Sequence, residues 1–240
     1  MQIIQQFIEW PGLWLNLARL LTLIFTSFIA WMTYRSYVLI KTIPIEANLL
    51  LSLPESIVRL GMVGFCLFLA WMSGLSMAQL GLWIIDPWRM MGWGLAVGVV
   101  IQLGVNVITL QAIRIFGATI YSAWLIRNIL PRHSSEWPWL VVAFIPPVLM
   151  EELLFRTLLL GLFQAIVPLL LLIPATSIVF GLMHQPQGKL GMVIAGAINV
   201  AFCILFVWSG QLLLTFVAHY TINLLQVVLA SRRQDWLENY

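Results

Sequence analysis

The sequence predicts an all-α fold, a polytopic bundle of transmembrane helices, and three observations predict it. Of the 240 residues, 62% are hydrophobic and only 9% are charged, where a soluble domain carries about a quarter charged residues. Windows near 13–33, 60–82, 93–113, 139–163 and 211–230 each supply the roughly 20 predominantly apolar residues that a membrane span needs. Finally, the basic residues gather in alternate loops, as the positive-inside rule expects.

Taken in order, the first window follows "MQIIQQFIEWPG", which lacks the basic region of a secretory leader, so this span is expected to stay as an anchor. Its Arg19 sits near an end and can snorkel. The second and third windows, 60–82 and 93–113, add no further ionisable group. Residues 115–130, "IFGATIYSAWLIRNIL", allow three readings: an interfacial helix, a continuation of the third span, or a short eighth element. Their shortness and the interrupting Arg127 favour the interfacial helix. Between the fourth and last windows lie 166–183 and 189–208, shorter or more broken but apolar. The count is about seven spans, or eight if 115–130 inserts.

Loop charge orients this count. With the N-terminus outside, Arg35, Lys41, Arg59, Arg114, Arg127, Arg132, Lys189, Arg232 and Arg233 all face the cytoplasm. Arg19 and Arg156 lie within spans, and Arg89 alone falls outside. The expectation is therefore N-out and C-in, an integral membrane protein with a bacterial inner membrane as the preferred location. The same inner-loop bases explain a pI near 9.1, so nucleic acid is not expected as a partner. Cys66 and Cys203 fall in spans without metal-like spacing and read as apolar filler.

Ionisable groups inside a membrane helix cost several kcal/mol each unless paired or hydrated, which makes them functional candidates. Here they fall in the last hundred residues: Glu151, Glu152 and Arg156 in the fourth span, His184 at the end of the fifth, and His219 with Asn223 in the seventh. At about 100° per residue, Glu152 and Arg156 share a helix face and can pair, while Glu151 points about 100° away. His219 with Asn223, and Phe180 with His184, repeat the i,i+4 spacing. Three helices thus each present a polar edge that can meet in one interior cavity. Asn199, in "GAINVAF", reads as a hydrogen-bonding tie between helices.

The chemistry open to such residues is limited. A carboxylate in a partly dry cavity suits a general base that activates water, and a neighbouring histidine can share the proton or protonate a leaving amine. A neutral histidine and an asparagine amide can stabilise an oxyanion. No serine or cysteine pairs with these groups, so direct attack by water is favoured. Three alternatives stand beside this hydrolase. His184, His219 and Glu151 could form a two-histidine, one-carboxylate zinc site, although no HExxH element is present. The same groups could relay protons in a secondary transporter, although no inverted repeat is visible. A non-cleaving immunity or binding protein is the third.

The elements "EELLFR", "FGLMH" and "HYTIN" resemble the EExxxR, FxxxH and HxxxN signatures of the CPBP family. That family groups CAAX prenyl endopeptidases with bacteriocin-processing or immunity proteins, often called Abi. The resemblance covers about 139–230, which would be the catalytic core, with 1–138 as further helices of the same bundle and 231–240 as a cytoplasmic tail. It implies an intramembrane endopeptidase in which Glu151 activates the hydrolytic water with help from His184. By the same carry-over His219 and Asn223 form the oxyanion site, Glu152 and Arg156 shape it, and no cofactor is required. The implied partner is a peptide or protein substrate, lipidated in the CAAX branch, met within membrane lipid.

Overall fold

A computed structural model describes residues 11–40 and 48–232. The N-terminal stretch read for a leader, Lys41 of the first inner loop, and the tail from Arg233 lie outside the described residues. Eight helical elements make up the rest, with no β-strand among the described residues. They are α1 (Pro11–Ile40), α2 (Leu53–Met72), α3 (Pro87–Phe116), the short α4 (Trp124–Ile129), the composite α5 (Ser134–Phe163), α6 (Leu169–Leu182), α7 (Gly188–Ser209) and α8 (Leu212–Ser231). Six are long and apolar enough to cross a membrane. The chain is an integral membrane protein.

Helix ends follow local chemistry. Pro54 and Pro87 open α2 and α3 in the first turn, where a missing N–H costs nothing. The carboxylate of Asp86 caps α3 by accepting from the Arg89 N–H at 3.4 Å. This moves α2 ahead of the expected 60–82 window: Arg59 is a helical residue, paired with Glu55 at 3.4 Å, and the chain leaves the helix at Ser73–Gly74. Gly117, with φ of 84°, ends α3 and separates it from α4. The 115–130 segment therefore divides between the last residues of α3 and the short α4. Its Ala123 and Ile126 are buried against Leu140, Phe144 and Val227.

α6 departs from the expected 166–183 span in length. Its 14 residues extend about 21 Å, short of the roughly 30 Å hydrocarbon core. Pro168 delays its start and His184 turns the chain into α7. α6 and α7 then pack closely as a pair: a Cβ on Gly181 would meet the Met192 carbonyl at 2.7 Å. Asn199 ties them, donating to Ser177 Oγ at 2.9 Å, which is the interhelical bond expected of it.

α3 and α8 run parallel. A Cβ on Gly94 would meet the Leu214 carbonyl at 2.7 Å, and one on Gly98 the Ala218 carbonyl at 2.7 Å. The pair forms a small-xxx-small contact that lets membrane helices approach closely. α5 runs the other way: Thr157 donates to the Leu80 carbonyl near the start of α3, while Val141 accepts from the Tyr220 hydroxyl further along α8. In α5 and α8, 44% of the apolar window is buried, against 22% in each of α1, α2 and α3. Those two helices are the centre of the bundle, and the ionisable groups sit on them.

Trp88 begins α3 and Ser135 begins α5, so the antiparallel arrangement places them at opposite ends of the bundle. Single cysteines introduced there should label from opposite faces of sealed vesicles, with Ser135→Cys on the cytoplasmic face if the basic loops are inside. Labelling of both from one face would contradict the topology.

Candidate active site

The site is built where α5 changes its winding. Residues 137–143 and 145–152 are α-helical, and Leu153–Leu160 form a π-helix with every residue buried. An α-helix overshoots by about 40° between i and i+4. The wider π turn removes much of that overshoot and sets Arg156 over Glu152. Departures of this kind recur at functional sites because they re-aim side chains within a continuous helix.

Glu152 and Arg156 are both fully buried, with Arg156 Nη1 3.3 Å from Glu152 Oε1. Neither Nε nor the two Nη atoms of Arg156 makes a hydrogen bond among the described residues. The cation is held instead by charge and by aromatic faces, its Cζ 5.8 Å from the Phe180 ring centre and 5.2 Å from that of Phe202. Phe155 meets Phe180 edge-on at 4.8 Å. The arginine therefore lies in a dry aromatic sleeve, where Glu152 is its counter-charge.

The second partner of Glu152 is His219. Its Nδ1–H donates to Glu152 Oε1 at 2.8 Å, and its Nε2 stands 3.7 Å from Glu151 Oε2. One imidazole thus lies between two adjacent carboxylates. They differ in environment: the Glu152 side chain is fully enclosed, and that of Glu151 is 26% exposed. The 3.7 Å separation is too long for a hydrogen bond and leaves both atoms free to share a third partner.

His184 occupies another position. Its Nδ1–H donates to the Phe180 carbonyl at 2.7 Å, and its ring lies over Phe180 with centroids 4.5 Å apart. That bond fixes the tautomer and leaves Nε2 as the free nitrogen. A direct pairing of Glu151 with His184 is not formed: the histidine within 4 Å of Glu151 is His219. His184, His219 and Asn223 instead meet around a cavity of about 230 Å³ between α3, α7 and α8. The glutamates adjoin that space through His219.

Of the residues that sequence reasoning brought together, His184, His219 and Asn223 line this cavity, while Glu151 and Glu152 stand behind His219 and Arg156 behind Glu152. Sequence reasoning missed the opposite wall. Gln102 and Asn106 of α3 also line the cavity, and so do Tyr121 and Ile126 from the segment after α3. Gln102 and Asn106 could have been found by asking which uncharged amides interrupt the third apolar window. Phe202, against both Arg156 and His219, carried no signal beyond hydrophobicity. Among the described residues no group of three or more His, Cys, Asp or Glu side chains converges as a cation ligand set.

Residues 133–225 match the family model described as type II CAAX prenyl endopeptidase Rce1-like. The match supports the resemblance of this segment to the CPBP family of membrane proteases. The segment contains α5 to most of α8, and so holds all six of the residues brought together by the sequence. No curated protein and no solved structure matches the chain.

Replacing Glu152 with Gln should leave Arg156 as a buried cation without its counter-charge, a loss of about 3–5 kcal/mol by comparison with other broken buried pairs. Glu152→Gln combined with Arg156→Met removes both charges and should recover part of that loss. Thermal unfolding of the purified variants in detergent checks both, and a double variant less stable than Glu152→Gln would contradict the pairing.

Proposed function

We propose that the chain is a CAAX-type intramembrane endopeptidase that hydrolyses a peptide bond by direct attack of water. The observation that carries this reading is the imidazole of His219 set between two carboxylates, one sealed and one partly exposed, beside a cavity that also holds His184 and Asn223. The family match of residues 133–225 supports the reaction class; the roles below rest on geometry.

In this reading the substrate's carbonyl carbon is attacked by a water whose proton passes to Glu151. Glu151 fits the task because it is the carboxylate with access, whereas Glu152 is committed to Arg156 and His219. His184 lines the cavity beside His219, and its Nε2 would hold the water or take a share of its proton. The new C–O bond leaves an oxyanion, which accepts hydrogen bonds from the Asn223 amide and from His219 when Nε2 carries a proton. Collapse breaks the C–N bond and returns the proton to the departing nitrogen, giving a carboxylic acid and an amine. Neither a covalent enzyme intermediate nor a metal ion enters this sequence.

The substrate is a peptide or protein presented at the membrane, lipidated if the chain follows the CAAX branch, and the location is a bacterial inner membrane with the C-terminus inside. Loop charge supports that orientation.

Glu151→Gln keeps the shape of the side chain and removes its ability to take a proton. It should leave unfolding temperature within about a degree of wild type and lower turnover of a quenched-fluorescent farnesylated CAAX peptide by about 100-fold or more. Wild-type activity should also survive prolonged dialysis against a strong chelator. A folded Glu151→Gln with near-normal turnover contradicts the assignment of the base, and loss of activity on dialysis, restored by zinc, contradicts the metal-free step.

A further inference from the structure

We infer that Gln102 and Asn106, on α3 outside the family-matched segment, form a subsite that hydrogen-bonds the main chain of a peptide substrate beside the bond to be cleaved. The inference rests on the peptidase reading above and adds where its substrate is held. Gln102 is 2% exposed in the middle of a membrane helix. Its Nε2 donates to Asn106 Oδ1 at 3.0 Å, and its Oε1 is buried with no hydrogen-bond partner. Both side chains line the cavity that contains His184, His219 and Asn223.

Three other amides make ties between elements, although Asn199 Oδ1 is likewise buried without a hydrogen-bond partner. Asn48 donates to the Ile129 and Leu130 carbonyls, Asn199 to Ser177 Oγ, and Gln211 accepts from the Ile85 N–H. Each ties its own element to another. Among the described residues Gln102 and Asn106 bond to each other, within one helix, and supply no tie between helices. An amide buried in hydrocarbon without such a role is costly. What the pair does supply is orientation: with Gln102 Nε2 committed to Asn106, an acceptor (Gln102 Oε1) and a donor (Asn106 Nδ2) remain about one helical turn apart.

Register shows what lies opposite. α3 and α8 are parallel, with Gly94 against Leu214 and Val217 and Gly98 against Ala218 and Thr221. One turn further along, Gln102 comes level with Ile222 and Asn223, and after another turn Asn106 comes level with Gln226. The pair therefore lies level with Asn223, the proposed oxyanion donor, and all three line the cavity. A ligand meeting one neutral acceptor and one neutral donor here needs an N–H and a C=O of its own. The amides flanking the cleaved bond of an extended peptide provide both, whatever their side chains.

The test measures binding, so that it does not depend on turnover. A fluorescent farnesylated CAAX peptide is titrated by anisotropy into the detergent-solubilised Glu151→Gln chain, with and without Gln102→Leu. A series of the same peptide has each amide flanking the cleavage position replaced in turn by an ester, which removes one N–H. Gln102→Leu should weaken binding of the all-amide peptide about 3- to 10-fold, as expected for one neutral hydrogen bond. One ester should weaken binding to Gln102 by a similar factor and make no further difference in Gln102→Leu. A purely structural Gln102 would lower affinity for amide and ester peptides alike, and that result overturns the inference, as does unchanged affinity or no binding at all. The coupled pattern in a wild-type chain that releases no product would leave this subsite standing and contradict the peptidase reading.

Discussion

The site depends on the 2.8 Å hydrogen bond from His219 Nδ1 to Glu152. It joins α8 to α5 at the centre of the bundle and decides which edge of the imidazole is available. With Nδ1 committed, Nε2 faces Glu151 and the cavity, so the two nitrogens have separate jobs. Glu152 is in turn held by Arg156, whose charge has no exit to water and no hydrogen bond among the described residues. The arginine, the inner glutamate and the histidine form one electrostatic unit. Removing a member leaves the others as uncompensated groups in a medium that penalises them heavily.

The fold explains why this unit can exist in a membrane protein. Hydrocarbon rejects ionised side chains, and the two helices that carry them are those most shielded from lipid. The π segment of α5 and the aromatic rings of Phe155, Phe180 and Phe202 close around Arg156, while the glycines of α3 let α8 approach on one side of the cavity. Only Glu151 keeps an appreciable exposed surface. Two adjacent carboxylates therefore differ: Glu152 is enclosed between Arg156 and His219, and Glu151 keeps exposed surface.

Much of this was legible in the sequence, because the bilayer makes hydropathy and stray charge so informative. The apolar windows fixed α7 and α8 to within about two residues, and the i,i+4 spacing of Glu152 and Arg156 foretold their contact. Other features were not readable. The π winding leaves no pattern in Leu153–Leu160, since every residue is buried and no face is distinguished. Glu151 meets His219 rather than His184 because the partner of a side chain is chosen by tertiary packing, which spacing within one helix cannot report. Gln102 and Asn106 carry no charge, and an uncharged amide lowers window hydropathy too little to stand out. α2 began earlier than its hydropathy window because the polar turn Pro54–Arg59 is helical all the same.

Glu152 holds His219 as the Nδ1–H donor and so directs Nε2 at Glu151. Nitrogen-15 spectra of the chain's three histidines, recorded in detergent for the wild type and for Glu152→Gln, test it most directly. The account predicts that His219 carries a strongly hydrogen-bonded proton on Nδ1 in the wild type, and that this preference is lost in Glu152→Gln while His184, bonded to the Phe180 carbonyl, is unchanged. A wild-type His219 protonated only on Nε2, or an identical Nδ1 signal in both proteins, would contradict it.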